Sequence, residues 1–136
     1  MVIDRFLTEV GEWAKKQPDI TGVLLVGSHA RGQARQDSDV DLVILSQVPR
    51  HYLEEVSFVE QFGHPLRLEE EDWGALTSLR VWYEEGLEVE FGLTRPEWAA
   101  LPPDPGTREV VADGALILFD REGKLDRLLQ CVPPAR

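Results

Sequence analysis

The chain has one cysteine, one methionine and no asparagine, and only 14 lysines and arginines stand against 25 aspartates and glutamates, a formal net charge of −11 over 136 residues. A single cysteine, Cys131, excludes an internal disulfide, and its place in the C-terminal tail suits an inert thiol rather than a nucleophile. No apolar run approaches the ~20 residues of a membrane-spanning helix. The opening Met-Val-Ile-Asp-Arg-Phe lacks the basic and then apolar segments of a signal peptide, so the expected location is the cytoplasm, without membrane attachment. The shortage of basic residues excludes the broad electrostatic grip that polymerases and RNA-tailing enzymes use on nucleic acid backbones. Small or basic molecules, or a protein, are the expected partners, and not nucleic acid. The absence of asparagine, with arginine in excess of lysine, fits a heat-adapted protein and a GC-rich coding sequence equally well.

The length suits one domain, residues 1–136, with enough chain to bury a core without staples. Ile3, Phe6, Leu7, Val10 and Ala14 recur at helical spacing, and Pro18 stops that helix. Ile20 to Val26 reads as a buried strand, 28–34 as a short helix, and 39–46 as a second strand that is nearly all apolar after Asp41. Pro49 opens a helix with Tyr52, Leu53, Val56 and Val59 along one side, stopped at Gly63. Leu66 and Leu68 suggest a short strand, and the acidic run 69–72 reads as a solvated loop. Segments 79–83 and 88–93 form a hairpin around Glu85-Gly86. Thr94, Pro96 and Glu97 spell a helix start, 102–106 an irregular loop, 115–119 a last strand, and Leu125, Leu128 and Leu129 one side of a final helix before a frayed tail from Pro133. The expected fold is α/β: a mixed, twisted sheet of about five strands with helices mainly on one face.

The most informative stretch is 27–41, Gly-Ser-His-Ala-Arg-Gly-Gln-Ala-Arg-Gln-Asp-Ser-Asp-Val-Asp. Residues i and i+2 of a strand point to one face, roughly 7 Å apart, so Asp39 and Asp41 can share a divalent cation. Gly27 lets a phosphate approach the backbone, and Ser28 offers a hydroxyl and an N–H to it. A phosphate cradle beside paired carboxylates suits metal-assisted phosphoryl or nucleotidyl transfer.

Gly27-Ser28, the short helix with Ala30-Arg31-Gly32 and Ala34-Arg35, and Ser38-Asp39-x-Asp41-Leu42 resemble the nucleotidyltransferase superfamily related to DNA polymerase β. The form is similar to its small prokaryotic branch, which holds minimal and antibiotic nucleotidyltransferases. The resemblance implies an NTP co-substrate such as ATP, Mg²⁺ or Mn²⁺, and a third carboxylate on a neighbouring strand. Glu88 and Glu90 are the candidates, and Glu90 is preferred because it lies deeper, between Val89 and Phe91. Many relatives carry aspartate there. Asp39, Asp41 and Glu90 are thus the expected metal ligands and catalytic groups. Gly27, Ser28, Arg31, Arg35 and Ser38 are the expected nucleotide contacts, with Arg31 also suited to scaffolding the loop.

Simpler roles compete at several positions. Asp37 suits a turn, and His29 an exposed side chain. Trp73, Trp82 and Trp98 suit core or rim, although Trp82 or Tyr83 could border an acceptor pocket. The expected activity is transfer of AMP from ATP to a hydroxyl acceptor with release of pyrophosphate. The alternatives are an antitoxin-type enzyme that binds and modifies a separate helical protein, and a catalytically silent nucleotide-binding relative. Few residues follow the third carboxylate, so a homodimer or a helical partner is expected to complete the site.

Overall fold

Side-chain alternation at period two builds a sheet whose two faces are covered unequally. In the computed structural model, which describes residues 3–35 and 38–133, α1 (Ile3–Lys15) leads into β1 (Ile20–Val26), the one-turn helix α2 (Ser28–Arg31) and β2 (Val40–Ser46). Next come α3 (Pro49–Glu54), a 3₁₀ turn (Val56–Gln61), β3 (Pro65–Asp72), β4 (Thr77–Tyr83) and β5 (Glu88–Thr94). A second 3₁₀ turn (Pro96–Ala99), α4 (Pro105–Ala112), β6 (Ala115–Asp120) and α5 (Lys124–Cys131) complete the order. Among the described residues no helix is long and apolar enough to cross a membrane. Asp37 and the last residues of the tail lie outside the described residues.

The six strands form one mixed sheet in the order β3-β4-β5-β2-β1-β6. Neighbours are antiparallel except β2 and β5, which run parallel. The larger core lies on one face. There α1, α3 and the first 3₁₀ turn cover Val40, Leu42 and Ile44 of β2, Leu79, Val81 and Tyr83 of β4, and Val89, Phe91 and Leu93 of β5. Phe91 is fully enclosed and packs edge-on to Phe6 and Phe58 and stacks with Phe62. The smaller core, on the other face, gathers Leu24, Val43, Leu45, Ala99 and Val111 with Leu125 and Leu128 of α5. It covers only the β2-β1-β6 half of the sheet, which leaves the β4-β5 region of that face for polar side chains.

Several local expectations change. The helix expected from Pro49 to Gly63 breaks at Glu55 into α3 and a 3₁₀ turn, so Tyr52 and Val59 reach the core from two segments instead of one stripe. The acidic run Glu69 to Asp72 belongs to β3, an edge strand of eight residues paired with β4. Charged side chains are poor strand formers, but on an edge they stay in water while the ladder supplies the hydrogen bonds. The Thr94-Pro96-Glu97 signature yields only the short 3₁₀ turn, because the Thr94 hydroxyl donates to the Ala75 carbonyl at 2.6 Å instead of capping. Conversely, the proline-rich loop passes into α4, with Pro105 in its first turn, where proline's missing N–H costs nothing.

Candidate active site

The turn between β1 and α2 sets the first wall. Gly27 takes φ +78°, a left-handed conformation that disfavours any side chain. Its carbonyl accepts the Ala30 and Arg31 N–H groups, which starts α2. A Cβ at this position would fall 2.8 Å from Asp41 Oδ2, so the turn and the carboxylate share one narrow space. Gly32, at φ +72°, ends α2 at Arg31, earlier than the 28–34 expected.

Asp41 enters from the second position of β2, on the face opposite the large core. Parallel pairing places it directly beside Glu90 of β5. The two carboxyl groups are in hydrogen-bonding contact, and Glu90 is therefore the acid that the fold brings to the pair. Burial first, then the adjacent Glu90 and Asp39, push Asp41 up to about 7, with Arg80 acting in the opposite sense. Asp39 stands just before β2. Its Oδ2 accepts from Arg80 Nη1 at 2.9 Å.

Arg80 was not among the expected site residues. It lies on β4 directly opposite Glu90 in the hairpin register. Its guanidinium also donates to Glu88, reaches Glu90 Oε2 at 3.2 Å, and stands 3.7 Å from Glu71 Oε1 of β3. Partial burial works against its charge, but hydrogen bonds to Glu88 and Asp39 and the field of Glu90 more than offset this and hold the guanidinium firmly charged. The signal was present in the sequence: counting back across the Glu85-Gly86 turn sets residue 80 against residue 90, between the apolar Leu79 and Val81. Glu88 shares this guanidinium and does not contact Asp41 in the way Glu90 does.

The remaining expected residues spread around the loop. Ser28 opens α2, and its carbonyl accepts the Gln33 N–H. Arg31 turns away from the carboxylates: Nη1 donates to the Asp113 carboxylate at 2.8 Å and to the Asp113 carbonyl at 3.0 Å, which ties α2 to the end of α4. The Arg35 side chain is exposed, while its N–H donates to Ser38 Oγ at 2.8 Å. His29 is half-buried, not free in solvent as expected, because its Nε2 donates to the Ser38 carbonyl at 3.1 Å and clamps the loop end to α2.

A cleft of about 460 Å³ opens beside Gly27, Asp41 and Glu90. Trp73 and Trp98 line it. Trp82 and Tyr83, the aromatics expected to border such a pocket, lie elsewhere. Trp82 stacks under Arg67, and Tyr83 is buried with its hydroxyl on the Val59 carbonyl. A larger hollow of about 890 Å³, beside Arg5, Gln61 and His64, contains none of the motif residues.

The donor set suits a hard divalent cation. Asp39, Asp41 and Glu90 offer only carboxylate oxygens, the ligand type that magnesium and manganese prefer. A guanidinium already sits among those oxygens. In this arrangement no three acidic, imidazole or thiolate groups among the described residues form an ion-ready cluster.

The profile of the nucleotidyltransferase domain matches residues 3–91. The fold resembles an aminoglycoside 6-adenyltransferase from Bacillus subtilis, with a TM-score of 0.59 and 16% identity over 73% of this chain and 37% of that one. It also resembles a CCA-adding enzyme solved with CTP, with a TM-score of 0.55 and 17% identity over 94% of this chain and 32% of that one. The Thermotoga maritima CCA-adding enzyme complexed with tRNA gives a TM-score of 0.51 at 15% identity, over 93% of this chain and 30% of that one. The chain thus spans about a third of the length of these solved proteins. No curated protein gives a match. On the match of residues 3–91, which take in the glycine-serine turn, both aspartates and Glu90, the chain belongs to the nucleotidyltransferase domain family.

Proposed function

We propose that the protein transfers a nucleoside monophosphate, AMP from ATP, to a hydroxyl acceptor and releases pyrophosphate. One observation carries this reading: Asp41 and Glu90 meet side by side across the parallel β2-β5 pair, against the Gly27 turn and at the mouth of a cleft. In this reaction the acceptor oxygen bonds to the α-phosphorus while the bond to the oxygen bridging the α- and β-phosphorus breaks. Pyrophosphate leaves with that electron pair. The acceptor proton passes to a carboxylate, Glu90 or Glu88.

Asp39, Asp41 and Glu90 would hold Mg²⁺ or Mn²⁺, which when bound neutralises phosphate charge and lowers the pKa of the attacking hydroxyl. Gly27 and Ser28 hold the outer phosphates through backbone N–H groups and the Ser28 hydroxyl. Arg35 is exposed beside the loop and adds a cation for the triphosphate. Ser38 keeps the loop in place through the Arg35 N–H, and Arg31 does the same for α2 through Asp113. The cleft favours a small, basic acceptor with an apolar side, since Asp104 and Asp113 join the two indoles in its lining and no lysine or arginine does so among the described residues.

Labelled ATP, Mg²⁺ and a panel of hydroxyl-bearing amines test the reading. Wild type should bind ATP in a metal-dependent manner and label at least one acceptor, and Asp41→Ala should do neither. A wild-type protein that binds no nucleotide with either Mg²⁺ or Mn²⁺ contradicts it.

A further inference from the structure

We propose that Arg80 is an internal counter-cation that competes with the divalent ion for Asp39 and Glu90, and so sets the metal affinity of the nucleotide-free protein. The inference rests on the assignment of those two acids as metal ligands. Its own support is the geometry of one side chain. The Arg80 guanidinium touches carboxylates from both sides: Asp39 ahead of β2, Glu88 and Glu90 on β5, and Glu71 on β3. Its side chain is only 20% exposed, and Glu90 is equally enclosed, so the contact with Glu90 is not a solvent-screened surface pair.

A guanidinium is planar and presents its donors in a fixed fork. Two of those donors are spent here on Asp39 Oδ2 and Glu90 Oε2, oxygens that a metal would also need. The same lone pairs cannot serve both cations. An ion that takes these oxygens must displace Arg80 from them, and one that binds the other oxygens of the same carboxylates still meets the guanidinium charge beside it. A released Arg80 remains anchored on β4, one strand from Glu90, with its charge free for an anion. Arg80 is in this sense a positioning residue: it gathers the carboxylates against their mutual repulsion and yields them on loading.

The test measures Mn²⁺ binding to the nucleotide-free protein by electron paramagnetic resonance or calorimetry. Thermal denaturation with and without Mn²⁺ runs in parallel. Arg80→Gln should bind Mn²⁺ about tenfold more tightly or better, because a competing positive charge is removed from beside the ion. It should melt lower than wild type without metal and gain more on adding it. Arg80→Lys keeps the charge without the fork and should fall between the two, and it serves if the glutamine variant does not fold. Arg67→Gln removes a cation that instead lies over Trp82 and should leave Mn²⁺ affinity within about twofold of wild type, separating competition from bulk charge. The proposal is overturned if neither Arg80 variant binds Mn²⁺ more tightly than wild type, or if Arg67→Gln gains as much. If wild type and both Arg80 variants all fail to bind Mn²⁺, the assignment of the metal ligands falls with it. Wild-type binding without any gain in the variants removes the competition alone and leaves the proposed transfer standing.

Discussion

The two faces of the β2-β5-β4 region differ in kind although they share every backbone atom. On one face Val40, Leu42, Val89, Phe91 and Val81 are sealed beneath α1, α3 and the first 3₁₀ turn. On the other, the alternate positions are Asp41, Glu88, Glu90 and Arg80, half-buried and charged. A strand's period of two lets one residue enter the core while its neighbour joins the charged cluster. The difference also has a cost: the apolar face rigidifies the strands, and the charged part of the other face, beyond Val43 and Leu45 of the smaller core, is held by cross-pairing of acids with one arginine and with each other.

The comparison breaks most sharply at Asp41. Asp41→Asn should reduce nucleotidyl transfer by about a thousandfold or more, the scale of losing a group that acts on the transition state. The same change should raise the melting temperature of the metal-free protein at neutral pH. The sign follows from the raised value of about 7 in the folded state against 3.8 for an unperturbed aspartate. Folded protein holds that proton more strongly, so wild-type stability falls as pH rises between the two values, and asparagine removes the loss. The gain should be absent near pH 4 and full above pH 7; melting curves across that range check it.

On the opposite face, Phe91→Ala should cost about 3–5 kcal/mol in denaturant unfolding, because it empties the centre of the aromatic cluster. Activity should fall only in step with the folded fraction. Gly27→Ala sits between the two outcomes. Its left-handed φ and the 2.8 Å approach to Asp41 Oδ2 should cost about 1–3 kcal/mol of stability and also weaken ATP binding in titration calorimetry. The smallest effect belongs outside both faces. His64 pairs with Glu85 at the β4-β5 turn, and the hydrogen bond and charge of Glu85 raise the histidine above its ordinary value. That stabilisation is present below pH 6.5 and lost as pH rises through the elevated value. His64→Ala should therefore lower the melting point slightly at pH 6, not at pH 9, and leave transfer unchanged.

The parts of the site that were legible in the sequence are those carried by short spacing. Gly27-Ser28 and Asp39-x-Asp41 lie within one turn and one strand start. Glu90 could be named because a carboxylate between Val89 and Phe91 is costly to bury without a partner or a metal. The parts that stayed hidden depend on contacts between distant segments. Arg31 meets Asp113 only once α2 packs against the end of α4. The acidic 69–72 run becomes strand because β4 offers it a ladder. Arg80 reaches Asp39 and Glu71 only once β2, β5, β4 and β3 lie side by side, although its register with Glu90 follows from the hairpin. Trp73 and Trp98 reach the cleft by chain reversals that no local pattern announces.

Taken alone, the sequence determined which strands would be apolar on one side, where the chain would reverse at Gly27, and which acids could share a face, since these follow from local geometry and side-chain period. Only the tertiary structure decided that β2 and β5 lie parallel with Asp41 beside Glu90, and that one arginine stands among the acids. Those outcomes depend on strand order and register, which are set by burial summed over the whole sheet and not by any single segment.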